Sequence, residues 1–132
     1  MSPEGNLYPD LVRTYVFKIG EYLNNAYIAL GQDETEKGSE LLWGSMALAV
    51  KAVAAVREIE LRNHGSIWAF ARQLSQELGD LALFDAFRDA NRLHSNFYES
   101  DLTREMVLDS EERVRRGVAK LLELIPREAM EQ

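Results

Sequence analysis

Leu41-Leu42-Trp43-Gly44-Ser45-Met46-Ala47-Leu48-Ala49-Val50-Lys51-Ala52-Val53-Ala54-Ala55-Val56 is the stretch whose reading decides the fold. Leu42, Met46, Ala49, Val53 and Val56 recur at spacings of three and four, the period of one helix face, and Leu41, Ser45, Leu48 and Ala52 form a second stripe beside it. A helix with apolar or small side chains around most of its circumference belongs in the middle of a bundle, where small residues let neighbours approach closely. The run is broken by Lys51 and leans on alanine, glycine and serine, short of the roughly 20 apolar residues a membrane span needs, so the expectation is a buried core helix and no membrane partner. Upstream, Asp33 with Glu36 three residues on predicts the start of this helix, which is expected to run to about Leu61.

Working outward, a first helix is predicted over residues 9–30, with Val12, Tyr15, Ile19, Tyr22 and Ala26 on one side and Gly31 ending it. Tyr8, Tyr15 and Tyr22, seven residues apart, suggest a half-wet interface, which suits a side chain with an apolar body and a polar tip. Asn63-His64-Gly65-Ser66 reads as a turn, with Ser66 capping a short third helix that carries Ile67, Ala71, Leu74 and Leu78. Gly79-Asp80 separates it from a fourth helix over residues 81–98, and a fifth follows over 103–125, stopped by Pro126. Proline occurs only at 3, 9 and 126, and neither a strand pattern nor an internal repeat appears. The fold class is therefore all-α: an up-and-down bundle of about five helices, four long and one short. It forms a single domain over residues 1–132, with its core over about 9–125 and a tail over 126–132.

At 132 residues the chain can bury roughly two-thirds of the surface its unfolded form exposes. There is no cysteine, which removes disulfides, thiolate metal sites and cysteine nucleophiles and fits a reducing compartment. The first ten residues are polar and acidic without an apolar run, so a cytoplasmic location is expected. The net charge of −7 argues against an extended DNA-binding surface.

The fourth helix holds the candidate site. On an ideal helix Ala82, Leu83, Phe84, Ala86, Phe87, Ala90, Leu93, Phe97 and Tyr98 cover roughly 200°, about twice the stripe a surface helix needs, and a homodimer partner would bury the excess. His94 falls inside this arc. Either a neighbouring helix hydrogen-bonds its ring, or His94 serves as a general base or ligand-contacting donor. Arg88 lies roughly 120° away on the same helix, so the two side chains would meet only across a dimer axis. No phosphate-cradling glycine loop, dinucleotide fingerprint or metal-spaced histidine pair is found, and neither a metal nor a cofactor is expected.

The segment Ala90-Asn91-Arg92-Leu93-His94-Ser95-Asn96-Phe97-Tyr98-Glu99 resembles the signature of the archaeal PaREP family, alanine followed by Leu-His-x-Asn-Phe-Tyr-Glu. Glu36-Lys37, Leu42-Trp43-Gly44 and the run from Ala49 to Ala54 are similar to that family's second-helix motif, with Ser39-Glu40-Leu41 departing from it. The family is similar to the HEPN superfamily, which implies an up-and-down bundle that dimerises through the face carrying its site. Many HEPN proteins are metal-independent ribonucleases with an arginine several positions before a histidine, and Arg88 and His94 fit that spacing.

Three functional readings follow. In the first, the protein binds a nucleotide or RNA through Asn91, Arg92, Asn96, Tyr98 and Glu99 around His94. In the second, it is a dimeric endoribonuclease in which His94 takes a proton from a ribose 2′-hydroxyl and Arg88 stabilises the phosphate. In the third, it is a dimerisation or partner-binding bundle with a merely buried His94.

Overall fold

A computed structural model describes residues 7–99 and 101–130, the side chains of Leu7, Tyr98 and Glu99 excepted. Among the described residues six helices follow one another: α1 (Leu7–Gly31), α2 (Thr35–Val56), α3 (His64–Leu78), α4 (Leu81–Glu99), α5 (Arg104–Glu123) and the single turn α6 (Arg127–Met130). No strand occurs among the described residues, so the chain is an all-α helical bundle. The apolar stripe read at 41–56 sits at its centre. Leu42, Met46, Ala49, Val50, Ala52, Val53 and Ala54 are buried, and α2 packs against α1, α3, α4 and α5. By length and composition Thr35–Val56 could cross a membrane; in this fold most of that stretch is buried inside the bundle.

Small residues set how closely the helices pack. A methyl group on Gly44 would come within 2.5 Å of the Tyr22 ring, so the missing side chain is what lets α1 lie on α2. At Gly117 a methyl would meet Ala86 at 2.8 Å and Met46 at 3.0 Å, which fixes the junction of α5 with α4 and α2. Tyr8 and Tyr15 are half-buried against the core of their own chain, and Tyr22, also half-buried, lies over Gly44 of α2. Burial, followed by the charge of Glu60, raises the Tyr15 phenol above its ordinary pKa.

Several predicted boundaries shift for local hydrogen-bonding reasons. Asp33 ends α1 instead of starting α2: it takes the left-handed conformation (φ 59°), while Gln32, Asp33 and Glu34 donate to the last carbonyls of α1. Arg104 holds this corner, 3.0 Å from Asp33 and donating to the Leu30 carbonyl at 3.0 Å. α2 stops at Val56, short of Leu61, because Glu58 is also left-handed (φ 59°) and the N–H groups of Glu58 and Ile59 cap the Ala55 and Ala54 carbonyls. The chain then turns back so that Leu61 still reaches the core. Asn63, not Ser66, caps α3: its Oδ1 accepts from the Ser66 N–H at 2.8 Å, and Ser66 returns the favour as the third residue of a capping box. Pro126 lies beyond the end of α5 and opens α6, within the stretch read as a tail.

Candidate functional site

Glu40 and Trp43, three residues apart, share one flank of α2, and Phe87 and His94, seven apart, share one flank of α4. Where those flanks meet, His94 Nδ1 lies 2.8 Å from Glu40 Oε2. Both side chains are about one-third exposed, 31% and 33%. The carboxylate accepts the Nδ1–H, so in the neutral imidazole the lone pair is on Nε2, the tautomer a general base or acceptor at that atom requires. Beneath lies Trp43, buried, its ring 5.3 Å from that of His94 and edge-on to Phe87 at 5.6 Å.

A second imidazole joins them. The Asn63 cap fixes His64 as the first residue of α3, and its exposed ring lies 5.1 Å from Trp43 and stacks 6.0 Å from His94. These are the two histidines of the chain, thirty residues apart in sequence and brought onto one indole. Sequence reasoning took His64 for part of a turn and Glu40 for a departure from the family motif. The usable signal was the i, i+3 placement of Glu40 and Trp43 on the core helix, but nothing in the sequence says which loop arrives there.

The predicted site residues separate. Asn91 is half-buried on α4, three residues before His94 and on the adjoining part of the helix surface. Arg88 and Arg92 stand exposed on the outer crest of α4, with no hydrogen bond or ion pair among the described residues. His94 stands six positions after Arg88, about 9 Å along the axis and about 120° around it, so one chain does not assemble that pair. Asn96 is fully buried, with Nδ2 donating to Ser39 Oγ at 3.0 Å and Oδ1 accepting the Leu102 N–H at 2.8 Å. Its amide is committed to the fold at both ends. The side chains of Tyr98 and Glu99 lie outside the described residues. Among the described residues no group of three His, Cys, Asp or Glu is arranged to hold a metal ion.

The wide apolar arc of α4 is largely filled within the chain. Leu83, Ala86, Phe87, Ala90 and Leu93 are buried against α2, α3 and α5, and Phe84 is half-buried beside Trp68. Among the arc's described side chains, Ala82 at its edge and Phe97 inside it stay exposed. Most of the arc is thus buried without a partner subunit. A cavity of about 520 Å³ lies elsewhere, between the start of α1, the end of α2 and α6, and is lined by none of these residues.

The segment around His94 and the α2 segment that faces it both fall within residues 14–118, which the model of the archaeal PaREP1/PaREP8 family matches. The chain belongs to the archaeal PaREP1/PaREP8 family. The match spans α2, α3 and α4 entire, so in this PaREP chain Glu40, Trp43, His64 and His94 all lie inside the family region. No curated protein and no solved structure matches the chain.

Proposed function

We propose that this PaREP protein is a nucleotide- or RNA-binding module whose ligand rests against His94 and His64 at the junction of α2, α3 and α4. The observation that carries the reading is the Glu40–His94 pair on the Trp43 floor. A carboxylate-oriented imidazole is left partly open to solvent beside a second, exposed imidazole. Unstacked bases bind flat aromatic faces, histidine among them, and each such stack is worth about 1–3 kcal/mol. Asn91, half-buried beside His94, adds an amide on the adjoining part of α4. The resemblance to HEPN proteins points to the same ligand class, and a chain without cysteine fits the reducing, cytoplasmic setting expected of it. Cleavage by Arg88 and His94 would need the arginine of another chain, and binding requires no such donation.

Calorimetric titration with the four ribonucleoside monophosphates and a short single-stranded RNA tests the reading, with Trp43 emission in a Trp68→Phe background as a local reporter. Saturable binding is expected, weakened about tenfold or more by His94→Ala, as losing one stack plus one hydrogen bond implies. Glu40→Gln should weaken it less, since the amide oxygen still accepts the Nδ1–H. If none of these ligands produces heat or an emission change with the wild-type chain, the reading fails.

A further inference from the structure

We propose that the cavity of about 520 Å³ between the start of α1, the end of α2 and α6 is a binding site for a small aliphatic diamine. Its volume lies within the range of small-molecule sites, roughly 300–1,000 Å³. Val12, Ala55, Val56, Pro126 and Ala129 give it apolar walls, and Tyr8 adds an aromatic ring. Four charged side chains also line it: Arg13, Arg57, Glu58 and Glu128. By count they cancel, so the partners each already has decide which charge a ligand must bring.

Both arginines are neutralised by carboxylates that do not line the cavity. Arg13 pairs with Asp10, one turn earlier on α1. Arg57 donates to both oxygens of Glu77, at 3.2 Å and 2.8 Å, and its guanidinium lies over the Phe70 ring, 5.6 Å from the centroid. That geometry commits it to α3. Neither the Glu58 nor the Glu128 carboxylate has a hydrogen bond or ion pair among the described residues, so two uncompensated negative charges face the cavity. The helix ends leave this balance as it is, since α1 begins and α2 ends here and their opposite partial charges offset each other. Glu58 also takes φ 59°, a conformation that favours glycine or asparagine, so the backbone alone would not select a glutamate there.

The walls decide which kind of cation fits. A bare divalent ion wants six or more oxygen ligands, and an apolar wall offers it none. Among the described residues no group of three His, Cys, Asp or Glu is placed for a metal ion. A diamine matches both features of the cavity. Its methylenes lie along Val12, Ala55 and Ala129, one ammonium donates to Glu58 in the connection after α2, and the other to Glu128 on α6. The Tyr8 ring offers a face to the same charge. The net charge of −7 draws such a cation toward the protein.

Calorimetry and amide NMR of the full chain with putrescine, a four-carbon diamine, at low ionic strength test the proposal. Saturable binding is expected, with shifts gathered at Val12, Ala55, Glu58 and Ala129 and absent at His64 and His94. Butylamine, with the same methylenes and one ammonium, should bind about threefold more weakly. Glu58→Gln combined with Glu128→Gln should weaken putrescine binding about tenfold, the worth of two exposed ion pairs. The helical circular-dichroism signal should stay unchanged in that variant, because neither carboxylate bonds within the fold. Absence of binding overturns the proposal, as does binding that the double variant retains. Shifts spread over the acidic surface at large, or equal displacement by magnesium ions at matched ionic strength, would also overturn it by reducing the effect to a counterion atmosphere. Nucleotide titration reads the histidine junction separately, so either site can fail without the other.

Discussion

Asn96 sits two residues from His94, and the difference between their fates is one of helix geometry. Two residues turn a helix by about 200°, so His94 leaves α4 toward the partly open junction with Glu40 while Asn96 points into the protein. There it ties Ser39 of α2 to Leu102 in the connection to α5, and Ser39 in turn donates to the Thr35 carbonyl at 2.8 Å. Replacing Asn96 by alanine strands the part-buried Leu102 N–H and leaves the buried Ser39 hydroxyl without this donor, at a cost of about 1–3 kcal/mol. Thermal denaturation should show Asn96→Ala melting several degrees below wild type, with nucleotide binding by the remaining folded protein unchanged. An Asn96→Ala chain that melts with the wild type would show the bridge to be idle. The sequence marked this asparagine as polar and near His94, and proximity along the chain suggested a shared role. Only the direction of its side chain shows that it holds the fold.

Between elements, the spacing of α1, α2, α4 and α5 depends on missing side chains, at Gly38 against Leu30 and at Gly44 and Gly117. Gly44 and Gly117 are helical glycines whose substitution by alanine forces a clash, with the Tyr22 ring in one case and with Ala86 and Met46 in the other. Overpacking of this kind costs about 1–3 kcal/mol, more than alanine's better helix propensity returns. Chemical denaturation should therefore place Gly44→Ala and Gly117→Ala below wild type, although both changes would stabilise an isolated helix. A midpoint at or above wild type for either would mean that its neighbour moves aside freely. Element existence and order were legible because periodicity, Gly79 and Pro126 act locally. The ends were less so: Asp33 and Glu58 adopt positive φ, a choice that sequence favours for glycine and that here rests on carbonyl capping and, at Asp33, on Arg104.

For the molecule as a whole, surface ion pairs couple helices whose cores already touch. Asp80 accepts from Lys120 of α5 at 2.9 Å and from the Leu83 N–H at 3.1 Å, and its carboxyl is held below its ordinary pKa, first by Lys120. Glu77 of α3, bonded to Arg57 at the end of α2, is lowered in the same way. A carboxylate with a depressed folded pKa adds stability above its unfolded value, about 4, and loses that stability as pH falls through the folded value. Melting temperature should accordingly decline below pH 4, and Asp80→Asn combined with Glu77→Gln should flatten that decline. An identical acid slope in the double variant would assign it to other carboxylates. By itself the sequence determined an all-α chain, the central placement of residues 41–56 and a histidine set in the apolar flank of the fourth helix, because each follows from spacing within one helix. The tertiary structure decided what meets that histidine: Glu40 and Trp43 from α2 and His64 from the α3 cap. It also decided that most of the apolar arc of α4 is covered by its own chain, while Leu81 and Phe97 of α4 and Phe17, Tyr27 and Ile28 of α1 stay outside. Helix period fixes which residues share a face, but which face meets which neighbour depends on loop paths and on how closely glycine and alanine let the helices approach, and these are properties of the assembled bundle.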